Sequence, residues 1–424
     1  MGVFAKATAS RPVRSALSGI ALVGAAALVL SGCTSAGNSG DSGSTGEDLV
    51  LKIGTALPVT GSLAFLGPPE IAGTEYAAAQ INEAGLGVTV ELTQGDSGDL
   101  DNKAYETEIP RLLGEGVSAI IGAASSGVSL QFIDQVVGAD VIQFSPANTS
   151  AAFTTYDDKG LYFRTAPSDV LQGEVLGNLI AEDGAQTLGL IVLNDSYGTG
   201  LASFTSDAFE AAGGTVVAAP TFNPGDTNFD AQISEVLAAA PDAIALITFD
   251  EAKTIVPALV AAGYPADKLY FVDGNLANFG DEFPAGTLTG AKGTLPGLSI
   301  DTIADFTDGL QEFWTGEGNE PLTDFSYAAE AYDAVILLAL AALAADSTDG
   351  PAIAAKLQEV SGGSGDGTKA TTFAEAAKII ADGGVVDYDG ISGPITFDEV
   401  GDPTEAAVGI YVYKDDNTYE AYTG

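Results

Sequence analysis

Histidine is absent from this 424-residue chain, and cysteine, methionine and tryptophan occur once each. Without imidazole, neither a Ser-His-Asp nor a Cys-His nucleophile pair can form, and no zinc site can use histidine. With one cysteine there is no internal disulfide and no multi-thiolate metal site. No cofactor and no metal site are expected, and only carboxylate-based hydrolysis, of the glycosidase kind, stays open as catalysis. Cations are scarce as well. Fifteen Lys and Arg against 58 Asp and Glu give a formal net charge of -43, a poor surface for nucleic acid or anionic lipid headgroups. With so few cations, a bound anion must be held mainly by backbone N–H groups and hydroxyls.

The cations that exist are unevenly placed. Lys6, Arg11 and Arg14 precede a small-and-apolar stretch from Ala16 to Leu30, the pattern of a secretory signal. The stretch is shorter than the roughly 20 residues that span a bilayer as a helix. It runs into Leu30-Ser31-Gly32-Cys33, which resembles a bacterial lipobox. That resemblance implies a lipoprotein signal peptide over 1–32, cleavage before Cys33 and lipidation of its sulfur. Residues 33–48 then read as lipid anchor and flexible Gly/Ser linker. The expected location is the outer face of the cytoplasmic membrane, where the acidity reads as solubility on a crowded or salty exterior.

From Leu49 onward, strand and helix patterns alternate. LVLKIGTALP, VTVELTQGD, VSAIIGA (117–123) and VIQFSPA (141–147) form one strand series. TLGLIVL (187–193), GTVVAAPTF, DAIALITF (242–249) and KLYFVDG (268–274) form a second. Strands alternating with helices imply parallel sheets covered on both faces. Two series imply an α/β protein of two doubly wound lobes. Asp99 or Asp101 is the expected N-cap of the second helix. The apolar run Val335–Ala345 is half a membrane span and reads as a buried core helix.

Following the first strand, Pro58-Val59-Thr60-Gly61 resembles the branched-chain amino-acid (Leu/Ile/Val)-binding proteins of ABC importers, with their type I periplasmic-binding fold. The likeness recurs in order at AIIGAASSG (119–127), FSPANTS (144–150), YFRTAPSD (162–169), LNDSYGTGLA (193–202), FNPGDTNFDAQI (222–233), Tyr327 with AYDAV (331–335), and GPITFDEVGDP (393–403). It implies three crossovers between the lobes, near 165–168, 296–300 and 391–394. Lobe 1 then comprises 49–165 plus 298–391, and lobe 2 comprises 166–297 plus 392–424, with the ligand site in the cleft. ABC permease and ATPase subunits are the implied partners, with the membrane reached through the lipid anchor.

Ser125, Ser126 and Gly127 follow a buried strand and open a helix, so a ligand carboxylate there would meet hydroxyls, free N–H groups and the positive end of a helix dipole. Ser125 serves equally as a helix cap. The resemblance adds Ala147 and Thr149 to that carboxylate site, and assigns Tyr197 and Tyr327 to the pocket wall, with Leu66 where many members carry an aromatic. Arg164 reads as a brace at a crossing. Within Val272-Asp273-Gly274-Asn275 the resemblance places Asn275 where amino-acid binders have an acid for the ligand's ammonium. Asn cannot supply a full countercharge, so a ligand offering a neutral donor or none is favoured, unless Asp250 or Asp273 reaches it. The expectation is a non-enzymatic receptor for a small amino acid-like, amide or organic acid ligand. Its rivals are a sensing domain for a membrane signalling partner and a carboxylate-dependent hydrolase.

Overall fold

The computed structural model describes residues 48–423. The expected signal segment, Cys33 and all of the tether but Asp48 lie outside them.

The strands β1 (Leu49–Leu57), β2 (Val88–Asp96), β3 (Ala119–Gly122), β4 (Ile142–Ser145) and β5 (Tyr162–Arg164) form one parallel sheet in the order β2-β1-β3-β4-β5. Helices α1 (Gly67–Ala84), α2 (Tyr105–Gly114) and α3 (Ser126–Gly138) make the crossovers. The chain then passes to α4 (Asp169–Glu182) and a second sheet. Its parallel core is β6 (Thr187–Leu193), β7 (Thr215–Ala218), β8 (Thr221–Phe222), β9 (Ala243–Ile247), β10 (Leu269–Phe271) and β11 (Lys292–Pro296). Helices α5 (Ser196–Ala211), α6 (Asp230–Ala239) and α7 (Ala252–Ala261) connect these strands. Next come α8 (Ala304–Gly316), α9 (Ala328–Ala345), α10 (Gly350–Val360) and α11 (Phe373–Ala381), with a small sheet of β12 (Thr368–Ala370), β13 (Val386–Gly390) and β14 (Gly393–Pro394). Finally β15 (Val408–Tyr413) and β16 (Tyr419–Ala421) close the second sheet antiparallel to β11, giving β16-β15-β11-β10-β9-β6-β7. These are two doubly wound lobes.

The central strands show why the sheets are parallel. Every residue of Ala-Ile-Ile-Gly in β3 and Ala-Ile-Ala-Leu-Ile in β9 is buried, as a strand covered by helices on both faces requires. The apolar α9 fills the first lobe. It is long and apolar enough to cross a membrane by composition, yet 83% of it is buried, against α1 and α10. Gly73 of α1 permits the closest approach, since a Cβ there would sit 2.3 Å from the Ala328 carbonyl oxygen. In the second lobe Gly173 and Gly177 do the same for α4 against α5.

Two expectations differ from the structure. Asp101 does not cap α2, which starts at Tyr105, and neither does Asp99. Its Oδ1 accepts from the N–H groups of Asp101 and Asn102, and its Oδ2 from Ser62 N–H, so it knits two loops instead. The third crossing also lies later than 391–394. Ile395 and Phe397 are buried in the first core, Phe397 edge-on to Phe144 and Phe163, and Asp402 pairs with Arg164. The chain joins the second sheet only at Val408.

Candidate ligand-binding site

The carboxyl ends of both sheets face one cleft, where open α/β sheets place their ligands. On the first side, β3 leads through Ala123-Ala124 to Ser125, whose Oγ caps α3 by accepting from Val128 N–H at 3.3 Å. Ser126 opens the helix, and its Oγ accepts from Ser150 N–H at 3.2 Å, tying this loop to the one after β4. Asn148 locks the pair together. Its Nδ2 donates to the Ala123 and Ala124 carbonyls at 2.9 and 2.8 Å, and its Oδ1 accepts from Tyr162 OH at 3.0 Å.

Arg164 lies beneath, fully buried. Nε and Nη2 form a two-pronged pair with Asp402 at 2.6 and 2.8 Å, Nη2 also reaches Thr154 Oγ1, and Nη1 donates to the Asn148 and Ser150 carbonyls. A planar guanidinium fits this arrangement as an ammonium would not. Arg164 therefore holds the loop that carries Ala147 and Thr149 and does not line the cleft pocket.

On the second side the central feature is Asp273, 4% exposed. Tyr197, in the first turn of α5, donates its OH to Oδ1 at 2.6 Å, and Gln172 Nε2 donates to the same oxygen at 3.0 Å. Tyr327, the residue before α9, donates across the cleft to Oδ2 at 2.7 Å. Tyr197 stacks on Phe249 with centroids 5.4 Å apart. Burial pushes the Asp273 carboxyl up, and the donors from Tyr197, Tyr327 and Gln172 oppose that. Nearby Asp169 is fully buried, its carboxyl pushed well up by burial and then by the charge of Asp273.

Leu63, Leu66, Ala124, Ser125, Ser126, Ala147, Tyr197, Phe249, Asp273, Gly274 and Tyr327 enclose a cavity of about 10 Å³. The lobes are closed over it. Asp250 N–H donates to Ser62 O at 3.3 Å, Ser150 Oγ to Ser196 O at 3.1 Å, and Asp169 N–H to Thr149 O at 2.7 Å. Five of the eight expected residues thus meet at one pocket: Ser125, Ser126, Ala147, Tyr197 and Tyr327. Thr149 is buried beside it without lining it.

Asn275 and Asp250 stand elsewhere. The Asn275 side chain accepts from Val272 N–H at 2.9 Å and donates to Leu246 O at 2.8 Å and Thr248 Oγ1 at 2.9 Å. Its amide pins the loop after β10 to β9, and the acid at the pocket is Asp273, two residues earlier. Asp250 lies further out, in the wall of a larger outer cavity. Gln172 lies inside α4, where the sequence carries no ligand-binding signal, and Asp169 enters the motifs only as the last residue of YFRTAPSD.

The sequence profile of the periplasmic binding protein family matches residues 50–394, and the chain belongs to that family. The curated relatives that it matches include several Leu/Ile/Val-binding proteins. Over 189 residues it is 32% identical to a leucine-, isoleucine-, valine-, threonine- and alanine-binding protein of Pseudomonas aeruginosa, covering 44% of this chain and 50% of that one. The chain thus spans half the length of that relative. It is 24% identical over 360 residues to a chemotactic signal transduction system substrate-binding protein of Halobacterium salinarum, covering 81% of this chain and 83% of that protein. Among solved structures, a leucine-binding protein of Thermotoga maritima superposes with a TM-score of 0.71 at 24% identity, covering 88% of this chain and 98% of the other.

Proposed function

We propose that this chain is an extracytoplasmic receptor that closes on a small amino acid-like ligand and delivers it to the permease and ATPase subunits of an ABC importer. The observation that carries the ligand class is Asp273. Among the described residues it is a buried carboxylate contacted by neutral donors only, and no Lys or Arg of theirs lines its pocket. A buried charge lacking a partner is costly, and a ligand ammonium would supply the missing countercharge. Opposite it, Ser125 and Ser126 at the start of α3 offer hydroxyls and a helix dipole to a carboxylate. The two ends suit a zwitterion. Relative to the sequence reading, the balance moves from neutral amides toward amino acids, because Asp273 takes the place first given to Asn275.

Calorimetric titration of leucine and its deaminated analogue, on wild type and Asp273→Asn, tests this. Leucine should bind the wild type more tightly, and the variant should lose that preference. A deaminated analogue that binds the wild type as well as leucine does would overturn the assignment.

The lipidated form rests on the lipobox ending at Cys33. Labelling with a fatty-acid analogue should mark the wild type and not Cys33→Ala; label retained on the variant removes the anchor. The Halobacterium relative, a substrate-binding protein of a chemotactic signal transduction system that matches most of this chain, supports sensing as a second reading. Ligand uptake abolished by deleting the chain separates transport from sensing.

A further inference from the structure

Where the two lobes join, the start of α9 is a common contact. Tyr327 precedes the helix and donates to Asp273 across the cleft. Three residues on, the Glu330 carbonyl accepts from Thr165 Oγ1 at 3.0 Å, and Thr165 lies at the first crossing. The Glu330 side chain lies against the second crossing. A Cβ on Gly297 would sit 2.3 Å from its Oε1, and Gly297 holds φ at +101°, a conformation that glycine adopts readily. Another three residues on, Asp333 accepts from the N–H groups of Ile391 and Ser392 at 3.1 and 2.7 Å, and from Tyr388 OH at 2.9 Å. Asp333 is thus well supplied with donors, whereas among the described residues Glu330 finds only its own backbone N–H. The groups that face it are Glu70 from α1, Asp333 and Tyr327 from its own segment, and Tyr411 from β15, with no Lys or Arg among them. Glu70 is buried with both carboxyl oxygens unpartnered, one turn before the Gly73 that meets Ala328.

A buried carboxyl without a cation stays neutral in such packing, and ionising it favours any arrangement that admits water. We infer that Glu330 is a positioning residue for lobe closure: its neutral carboxyl seats the second crossing and keeps Tyr327 within reach of Asp273, and its ionisation opens the lobes. The inference rests on the reading that the chain works by closing on a ligand. Burial and then the charge of Asp333 raise the Glu330 carboxyl to about 8. In an open form, where water reaches it, the group returns toward the usual value of about 4.5. Closure therefore takes up a proton. Its contribution is fully present below about pH 4.5 and is lost as pH rises to about 8. Burial also pushes the Asp195 carboxyl up to about 6 and that of Glu251 to about 7, but these stand at the starts of α5 and α7 and not at a crossing.

The test titrates leucine calorimetrically into wild type, Glu330→Gln, Asp195→Asn and Glu251→Gln at pH 5.5 and 7.5. Wild-type affinity should fall roughly 10- to 100-fold between the two, since one linked proton changes it by up to about tenfold per pH unit. Titrations at pH 7 in buffers of different ionisation enthalpy should show uptake of up to about one proton on binding. Glu330→Gln is neutral and of the same shape, so it should bind at pH 7.5 as tightly as wild type does at pH 5.5. A merely structural contact would lower affinity without changing its pH profile. Asp195→Asn and Glu251→Gln should each keep the wild-type fall. Wild-type affinity level with pH, without proton uptake, overturns the inference whether or not the variant folds, and so does a fall that persists in Glu330→Gln. Small-angle scattering of the chain alone separates this inference from the ligand reading. The radius of gyration should grow from pH 5.5 to 7.5 in wild type and not in Glu330→Gln. That difference, with leucine binding at neither pH, supports the role of Glu330 and defeats the ligand assignment; the same scattering response in both proteins overturns the role of Glu330.

Discussion

Removing the Asp402 carboxylate should destabilise the first lobe by about 3–5 kcal/mol, the usual cost of stranding a buried charge. Arg164 is 0% exposed, so water cannot replace the lost partner without opening the core. Asp402 supplies two of the acceptors around the guanidinium, at 2.6 and 2.8 Å, and also accepts from Thr154 Oγ1 at 2.6 Å. Thr154 and the carbonyls of Asn148 and Ser150 stay in place in Asp402→Ala but carry no net charge. Asp402→Asn retains an acceptor oxygen and should cost less than the alanine variant. Urea denaturation followed by far-UV circular dichroism measures both, with the slope checked for constancy so that the midpoint reports stability. Native-state hydrogen exchange should speed up at residues 148–150, which hang from Arg164. A loss below about 1 kcal/mol in Asp402→Ala would mean that the pair contributes as a solvated surface pair does, and the brace argument would fail.

Gly177→Ala should cost about 1–3 kcal/mol by overpacking, because its Cβ would lie 2.6 Å from the Thr205 carbonyl oxygen and 2.8 Å from Ala208 Cβ; thermal unfolding reads this, and an unchanged midpoint refutes the close α4–α5 contact. Asn275→Ala should cost on the order of 1–3 kcal/mol for each buried group it leaves unpaired, while the preference for leucine over its deaminated analogue persists; loss of that preference at unchanged stability would return Asn275 to the ligand. Glu330, buried at the start of α9, has its carboxyl raised to about 8 by burial and then by the charge of Asp333. The native state therefore holds a proton that the unfolded chain has released, and this contribution is fully present below about pH 4.5, the usual glutamate range. It is lost as pH rises from there to about 8, so Glu330→Gln should flatten the fall in denaturation midpoint across that window, and a wild-type midpoint level from pH 5 to 8 would refute it.

The fold was legible because its signals repeat. Apolar runs such as Ala119-Ile120-Ile121 and Ala243–Ile247 recur at strand–helix spacing, and a chain of such units has few ways to bury both faces of each sheet. The third crossing was placed too early for a local reason. Ile391 to Pro403 carries turn residues throughout, and only the packing of Phe397 on Phe144 and Phe163 shows which core it joins. The first wall of the site was legible too, since Ser125 and Ser126 directly follow a buried strand, and their position at the start of α3 follows from strand end and helix start alone. The second wall was not, because Asp273 and Asn275 are two residues apart in a loop where both types are at home. What separates them is long-range: Tyr197, Tyr327 and Gln172, from three distant parts of the chain, converge on Asp273, while Leu246 and Thr248 take up the amide of Asn275. Alignment by motif places a loop to within a residue or two, and in a binding pocket that margin decides whether the ligand meets an amide or a carboxylate. Charge in this cleft is thus set by which of two neighbouring side chains turns inward, and the three donors converging on Asp273 make that choice.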